Sequence, residues 1–495
     1  MSEAKQPQKR ISVNLIFNIL SQLTALVVPI FITPYVSRVL NAELIGEYSF
    51  TLANSNYFVL AETLGFTLYG QIKIAAIRDD KDKLSLLFWE LFFIKCFLML
   101  VASAAYIPII LTAGSARLRT LYVIMLINIV SNGLDITWFL NGLEEFKVAA
   151  LRTILIKLCN LAAVYLFVKA ESDIFLYALI MQGFILIGFM SVYPILRKKV
   201  RWTGFKALCI RQHIKPSFVY LIPGVVNTVF TSVDKTLLGA MINDANEVGY
   251  YQQASSLITA FTTMINSISN VLLPRIAYLH YNATDAQEEK RLMKIVTGIG
   301  LAFAIPIMFG LIAVSDEFIP IYLGPGYEKS ALLLKILSAN VILVVICNYC
   351  GQLCLVAKGK QMRYNIVIII GAIVNIILNL SLIQILSSVG VAVASIVSNA
   401  AMLVLCLIWS RYSLTVKDLF IVGWRYVIAA AIMFVCIFFF SVNLAPIFHL
   451  VIEIIIGIIV YFVLLLILKD ETLFFILRMI FNKMSKRNTD NVESK

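Results

Sequence analysis

Glu62, Glu90, Lys95, Asp135, Arg152, Lys157, Asp234, Lys235, Lys335 and Glu453 fall within or near apolar runs of helix length. In hydrocarbon such side chains mark ion pathways, anion sites or buried pairs, because a charge at mid-helix costs at least about 2.5–3.5 kcal/mol on insertion. Lys157 and Asp234 lie deepest in their runs and must face protein or water. Glu90, Arg152 and Lys335 stand close enough to a helix end for a long side chain to reach the interface. The stretch "FTSVDKTLLGAM" (230–241) sets Asp234 beside Lys235. Successive helical side chains diverge by about 100°, so the two are poor partners for each other, and each is expected to face a different neighbour.

Uncharged polar groups form stripes. Asn14, Asn18 and Gln22 recur at spacing four on the first span. Gln252, Ser255, Ser256, Thr259, Thr262, Thr263, Asn266 and Asn270 do so at three-and-four spacing on the eighth, and Asn340, Asn348 and Gln352 mark the tenth. A stripe in lipid requires either hydrogen bonds between helices or a watered cavity; stripes on equivalent helices of a repeat favour the cavity. Other chemistries find no support. No GxxxxGK[ST] phosphate loop occurs, so ATP hydrolysis by this chain is not expected. His213, His280 and His449 are scattered, with no spacing for metal ligation, so neither a metal site nor a cofactor is expected. Cys347, Cys350 and Cys354 share a helical face, and "CNYC" matches CxxC, but without a second ligand pair nearby packing is the expected role. Outside loops of about a dozen residues at most leave little room for a catalytic loop. Transport outranks catalysis.

The elements that must hold these residues are membrane helices. The 495 residues are 60% hydrophobic, with a mean hydropathy of +0.90, far above a soluble domain. Runs near the roughly 20 residues needed to cross a bilayer number about fourteen. They start near Ser12, Leu44, Leu86, Leu118, Val148, Ile174, Ile214, Gly249, Leu292, Ala331, Ile366, Val389, Val422 and Ile447. The runs at Leu44 and Gly249 are the most polar, so twelve spans is the alternative count. The basic opening "MSEAKQPQKR" leads directly into a span of helix length, and no cleaved signal peptide is expected. With both ends inside, the inside loops collect Lys73, Arg78, Lys81, Lys83, Lys147, Arg275, Lys290, Lys358 and Arg363, together with the cluster at 197–215. Outside loops carry only Arg38, Arg117, Arg119, Lys169 and Lys329. This is the positive-inside bias, and it accounts for the net charge of +13 without a nucleic-acid partner. The tail "KDETLFFILRMIFNKMSKR" is expected to lie on the anionic inner surface as an amphipathic helix.

An internal repeat organises the spans. "LNAELIGEYSF" (40–50) resembles "INDANEVGYYQQA" (242–254), with Gly46 against Gly249 and Tyr48 against Tyr251. "NGLEEFKVAALRTIL" (141–155) resembles "AKGKQMRYNIVIII" (357–370). An even number of spans separates the copies, so they run parallel, as in carriers built from two halves around a central cavity. The expected fold is all-α and integral to the membrane: two six-helix lobes around a central cavity, plus two extra C-terminal helices. The boundaries are a cytoplasmic N-terminus at 1–11, a first lobe at 12–195, a cytoplasmic linker at 196–215, a second lobe at 216–411, the extra helices at 422–468 and the basic tail at 469–495.

Residues 28–90, opening "VPIFITPYVSRVLNAELIGEYSF", resemble the start of bacterial polysaccharide flippases of the Wzx type, in the multidrug/oligosaccharidyl-lipid/polysaccharide exporter superfamily. "VDKTLLGAMINDANEVGYYQQA" (233–254) and "VLLPRIA" (271–277) resemble the same family. The resemblance implies a two-lobed, V-shaped carrier in the bacterial cytoplasmic membrane. Such a carrier moves undecaprenyl-diphosphate-linked oligosaccharide to the outer leaflet by alternating access, coupled to protons or sodium. Membrane lipid, polysaccharide polymerase and chain-length proteins are further candidate partners. No strict family motif carries over residue by residue. On their chemistry Lys157, Lys235 and Arg152 are candidates for the diphosphate or acidic sugars, and Asn18, Gln22, Gln252, Thr259 and Asn266 for hydrogen bonding in the cavity. Asp234, Asp135 and Glu62 are candidates for the coupling ion. A multidrug or lipid II exporter of the same superfamily is the alternative, and a membrane polysaccharide polymerase or ligase the alternative of another class.

Overall fold

The structure is a computed structural model that describes residues 5–143, 145–197, 199–204, 208–217, 220–221, 224–225, 228–281, 286–410, 415–440, 445–470 and 472–473. Side chains at 5–19, 21–23, 25–26, 146–149, 268–272, 274–275, 281 and 286 are outside that description. The protein is an all-α integral membrane protein, with no strand among the described residues. Ten described segments are long and apolar enough to cross a membrane, and each coincides with an expected span, from Lys81–Thr112 to Pro446–Ile467. The expected spans near Ser12 and Leu44 share the first helix, that near Gly249 lies in Ala245–Tyr281, and that near Ile214 is described only in part. The chain divides into two compact units, Met1–Gln252 and Gln253–Lys495.

In the first unit, α1 (Lys5–Thr63) is two helices meeting at Asn41, where φ is 55° and ψ 176°. Asparagine tolerates positive φ better than most residues, and its Oδ1 accepts the Leu44 N–H at 3.1 Å, capping the second half. α2 (Phe66–Ile77) follows Gly65 at φ 76°. A Cβ at Gly65 would meet the Ser217 carbonyl oxygen at 2.5 Å, so both φ and space require glycine there. α3 (Lys81–Thr112) is capped by Asp80, which accepts from the Asp82 and Lys83 N–H groups. Those bonds, the Lys83 N–H foremost, hold its carboxyl below the ordinary carboxylate range, so the cap persists above that range and is lost as acid protonates it. α4 (Ala116–Gly133), α5 (Thr137–Gly142), α6 (Phe146–Phe167), α7 (Ile174–Met190), α8 (Tyr193–Leu196) and α9 (Arg211–Ser217) complete the set up to residue 217. Phe66, Phe88, Trp138 and Phe139 form an aromatic core, none more than 1% exposed. Phe88 stacks on Trp138 with centroids 5.9 Å apart, an offset contact that adds to the burial itself.

α10 (Asp234–Met241) grows from a π-helical turn at Val229–Val233, and α11 (Ala245–Tyr281) begins beyond it. The two repeat segments meet reciprocally here. An added Cβ at Gly46 would lie 1.8 Å from the Ala245 carbonyl oxygen, and one at Gly249 would lie 2.0 Å from that of Ala42. Each copy therefore supplies an alanine and, four residues on, a glycine, the small-xxx-small spacing that lets helix backbones touch.

The second unit continues through α12 (Ala286–Tyr322), α13 (Glu328–Leu337), α14 (Ala339–Asn348) with its π-helical extension Tyr349–Val356, α15 (Gln361–Leu386), α16 (Ser388–Ser410), α17 (Val416–Phe438) and α18 (Pro446–Ile467). Polar groups here are matched between helices. Asn340 donates to Ser395 Oγ at 3.1 Å and accepts from Asn399 at 3.0 Å. Cys347, Cys350, Cys354 and Cys406 are buried and unbridged, with the sulfurs of Cys347 and Cys406 3.8 Å apart. Tyr461 Oη donates to the Ala302 carbonyl at 2.8 Å, tying α18 to α12. The expected surface helix of the tail lies outside the described residues from 474 on.

Candidate functional site

Arg152 and Lys157, both on α6, line a single cavity of about 490 Å³ in the first unit. Val28, Pro29 and Ile32 of α1 form one wall, Thr137 and Asn141 of α5 another, and Met181, Phe184 and Phe189 of α7 a third. Nε and Nη1 of Arg152 are buried without a hydrogen-bond partner, guanidinium donors that the protein itself leaves unsatisfied. Asn141, Thr153 and Asn160 add polar atoms to an otherwise apolar lining. Two cations with amide and hydroxyl neighbours suit an anionic head group carrying sugar hydroxyls.

Asp135 is the counter-charge that acts on Arg152. It stands between α4 and α5, where its Oδ1 accepts the Thr137 N–H at 2.8 Å and its carbonyl accepts Trp138 Nε1 at 3.1 Å. The same carbonyl accepts Lys95 Nζ at 2.7 Å. Lys95 is 1% exposed and Glu62 0%, and the two interact electrostatically. Both Glu62 carboxylate oxygens are buried without a hydrogen-bond partner. The fold thus links Glu62, Lys95, Asp135 and Arg152 in one run of charge leading to the cavity. Lys95 is the member absent from the sequence-derived candidates. Its place in an apolar run signalled burial, whereas its partner, 40 residues away, was not legible.

Asp234 is 3% exposed and accepts from Tyr251 Oη at 2.5 Å. Lys235 is half-buried, and although successive helical side chains diverge, the Asp234 carboxylate is the charge that acts on it. Around them Tyr57 Oη donates to Thr236 Oγ1 at 3.1 Å, and that hydroxyl donates to Asn54 Oδ1 at 2.9 Å. Asn128 bonds Ser55 and Asn56. The polar residues at 54–57 of α1, unmarked in the sequence reading, are therefore the bed on which the segment at 232–236 rests. Tyr251→Phe removes a bond to a buried carboxylate and is expected to cost about 1.5–3 kcal/mol. The repeat-equivalent Tyr48→Phe, which loses only the amide donor Gln182 at 3.0 Å, should cost about 0.5–1.5 kcal/mol. Thermal unfolding in detergent compares them, and equal losses would show that the Asp234 bond carries no charge assistance.

The remaining candidates do not join these groups. Neither Lys235 nor Gln252 lines the cavity. Thr259 is exposed and donates to the Ser255 carbonyl of its own helix, and Asn266 is half-buried in the second unit. The side chains of Asn18 and Gln22 are outside the described residues. Of the charges expected to reach the interface, Lys335 meets the exposed Asp316 at 2.5 Å. Glu90, expected near the interface, is 2% exposed. Its carboxylate takes the Cys209 N–H at 2.7 Å and His213 Nε2 at 2.7 Å, while Tyr69 Oη meets His213 Nδ1 at 2.8 Å. The reason is that the segment 209–213, leading into α9, folds over it and supplies the donors that water would otherwise provide.

Membrane-crossing helices that bury charged groups beside a cationic cavity define a multi-pass membrane protein. The backbone is similar to the lipid II flippase MurJ in an inward closed conformation, with a TM-score of 0.73, 18% identity and coverage of 92% of this chain and 99% of that one. It is also similar to an inward-facing multidrug resistance MATE family transporter of the MOP superfamily, with a TM-score of 0.62, 13% identity and coverage of 81% and 97%. The profile of the family described as "Polysaccharide biosynthesis protein" matches residues 11–280, and this chain belongs to that family. A relative from Escherichia coli (strain K12), "Putative O-antigen transporter", is 22% identical over 405 residues, covering 80% of this chain and 96% of the relative.

Proposed function

We propose that this protein is a flippase that moves undecaprenyl-diphosphate-linked oligosaccharide repeat units across the bacterial cytoplasmic membrane for surface polysaccharide assembly. The observation that carries the reading is the pairing of Arg152 and Lys157 in one cavity, with guanidinium donors unsatisfied by the protein. The family and the O-antigen transporter relative support the substrate class. In this reading two six-helix lobes, joined through 196–215, alternate access to a central cavity while both termini stay cytoplasmic. A proton or sodium gradient drives the cycle, with Glu62, Asp135 and Asp234 as the acidic candidates. Lys235, Gln252, Thr259, Asn266, Asn18 and Gln22 serve the sugar-facing surface. Polysaccharide polymerase and chain-length proteins receive the product.

The test is complementation of a deletion strain, read as surface polysaccharide at matched expression. Each charge-assisted bond is worth about 1.5–3 kcal/mol, so Arg152→Ala with Lys157→Ala should weaken substrate binding about 100-fold or more and strip the surface glycan. Normal glycan from the double variant would sink the assignment. Deletion that kills the cell would point to a lipid II exporter, and deletion that only raises drug sensitivity to a multidrug exporter.

A further inference from the structure

The second unit gathers three potential donors that the transport reading does not use. Glu317 stands near the end of α12, and His449 and Glu453 are one turn apart on α18. Their donor atoms all lie within 4.8 Å of one another. His449 Nδ1 is 2.9 Å from Glu317 Oε2 and 3.8 Å from Glu453 Oε1. Phe440 stacks on the imidazole with centroids 5.6 Å apart, which holds the plane of the ring.

Hydrogen bonding alone leaves this cluster incomplete. The Glu453 side chain is 8% exposed, and its Oε2 is buried without a hydrogen-bond partner. A buried carboxylate oxygen with no donor carries its full desolvation cost, and the single bond between His449 and Glu317 does nothing to relieve it. A cation among the three groups would. Bonds of about 2.0–2.2 Å at tetrahedral angles place donors roughly 3.3–3.6 Å apart, and the observed 2.9 and 3.8 Å lie on either side of that spacing. Glu317, 44% exposed, leaves the cluster open to solvent on one side.

We infer that Glu317, His449 and Glu453 form a divalent transition-metal site that pins α18 to α12. One imidazole and two carboxylates form a donor set of the kind zinc accepts, with a fourth position free for water. Under the charge-based topology the site lies at the outer end of both helices, where it meets extracytoplasmic ions. It fastens one of the two helices that fall outside the repeat.

The experiment uses the purified full-length chain, stripped with chelator and titrated with Zn²⁺ by calorimetry and with Co²⁺ by visible absorption. One Zn²⁺ per chain is expected, together with a rise in melting temperature and Co²⁺ bands that His449→Ala abolishes. Loss of a group that merely hydrogen-bonds a metal ligand already weakens binding about 10–100-fold, so His449→Ala and Glu453→Gln, which alter ligands themselves, should cost at least that much. Glu317→Gln, whose amide oxygen can still accept from His449 at this exposed position, should weaken metal binding while changing the metal-free melting temperature little, which separates ligand loss from misfolding. The absence of saturable Zn²⁺ binding by the wild-type chain, or unchanged affinity in all three variants, overturns the site.

Discussion

Gly46→Ala and Gly249→Ala should each collapse the stability of the protein and its transport. In both variants the new methyl group falls about 2 Å or less from a carbonyl oxygen, that of Ala245 or of Ala42, and no side-chain rotation can relieve a clash with backbone. Overpacking a well-packed site costs about 1–3 kcal/mol where side chains can shift. Here the backbones themselves must part, so a loss above about 3 kcal/mol is expected. The contacts are reciprocal, and one separation relieves both clashes. The double variant should therefore cost scarcely more than either single one, a strong departure from additivity. Gly114→Ala is the control, since nothing lies within 4 Å of its added Cβ. Thermal unfolding in detergent and surface glycan in complemented cells provide the two readings, and near-wild-type values for Gly46→Ala would refute the close crossing.

Lys95→Met is expected to rank second. It deletes the bond to the Asp135 carbonyl at 2.7 Å and strands Glu62, whose oxygens have no protein donor. Lys95 and Glu62 sense each other's charge without a hydrogen bond between them, so the loss combines a charged-group hydrogen bond, worth about 1.5–3 kcal/mol, with the stranding of a buried carboxyl. Replacing both partners with groups of similar volume is often far milder, so Lys95→Met with Glu62→Gln should recover a substantial part of the loss. Strict additivity in this double-mutant cycle, measured by thermal unfolding, would show that the two charges are uncoupled. The exposed Lys73→Met should remain within about 0.5 kcal/mol of wild type.

Hydropathy and charge were legible residue by residue. Apolar runs identified the membrane class and the positions of the ten described spans, because the length needed to cross hydrocarbon is a local property. The same local logic marked Lys157 and Asp234 as side chains needing protein or water, whereas Arg152 was expected to reach the interface. The pairing of Gly46 with Gly249 and of Tyr48 with Tyr251 was also visible as a repeat. That the paired glycine segments touch each other was not, since similarity between two segments says nothing of their distance.

Partner choice came only with the tertiary structure. Lys95 finds a carbonyl 40 residues on, Tyr251 reaches back 17 residues to Asp234, and His449 meets Glu317 across 132 residues. The i, i+4 spacing of His449 and Glu453 is visible in the sequence, but Glu317, 132 residues away, is not. The cost of exposing a charge to lipid is the same whichever neighbour finally shields it, so the sequence by itself determined that Lys95 and Asp234 need shielding. Which groups meet depends on how each helix is rotated and crossed against the next. Close backbone contacts such as that of Ala42 and Gly46 with Ala245 and Gly249 set those rotations, and only the assembled fold contains them.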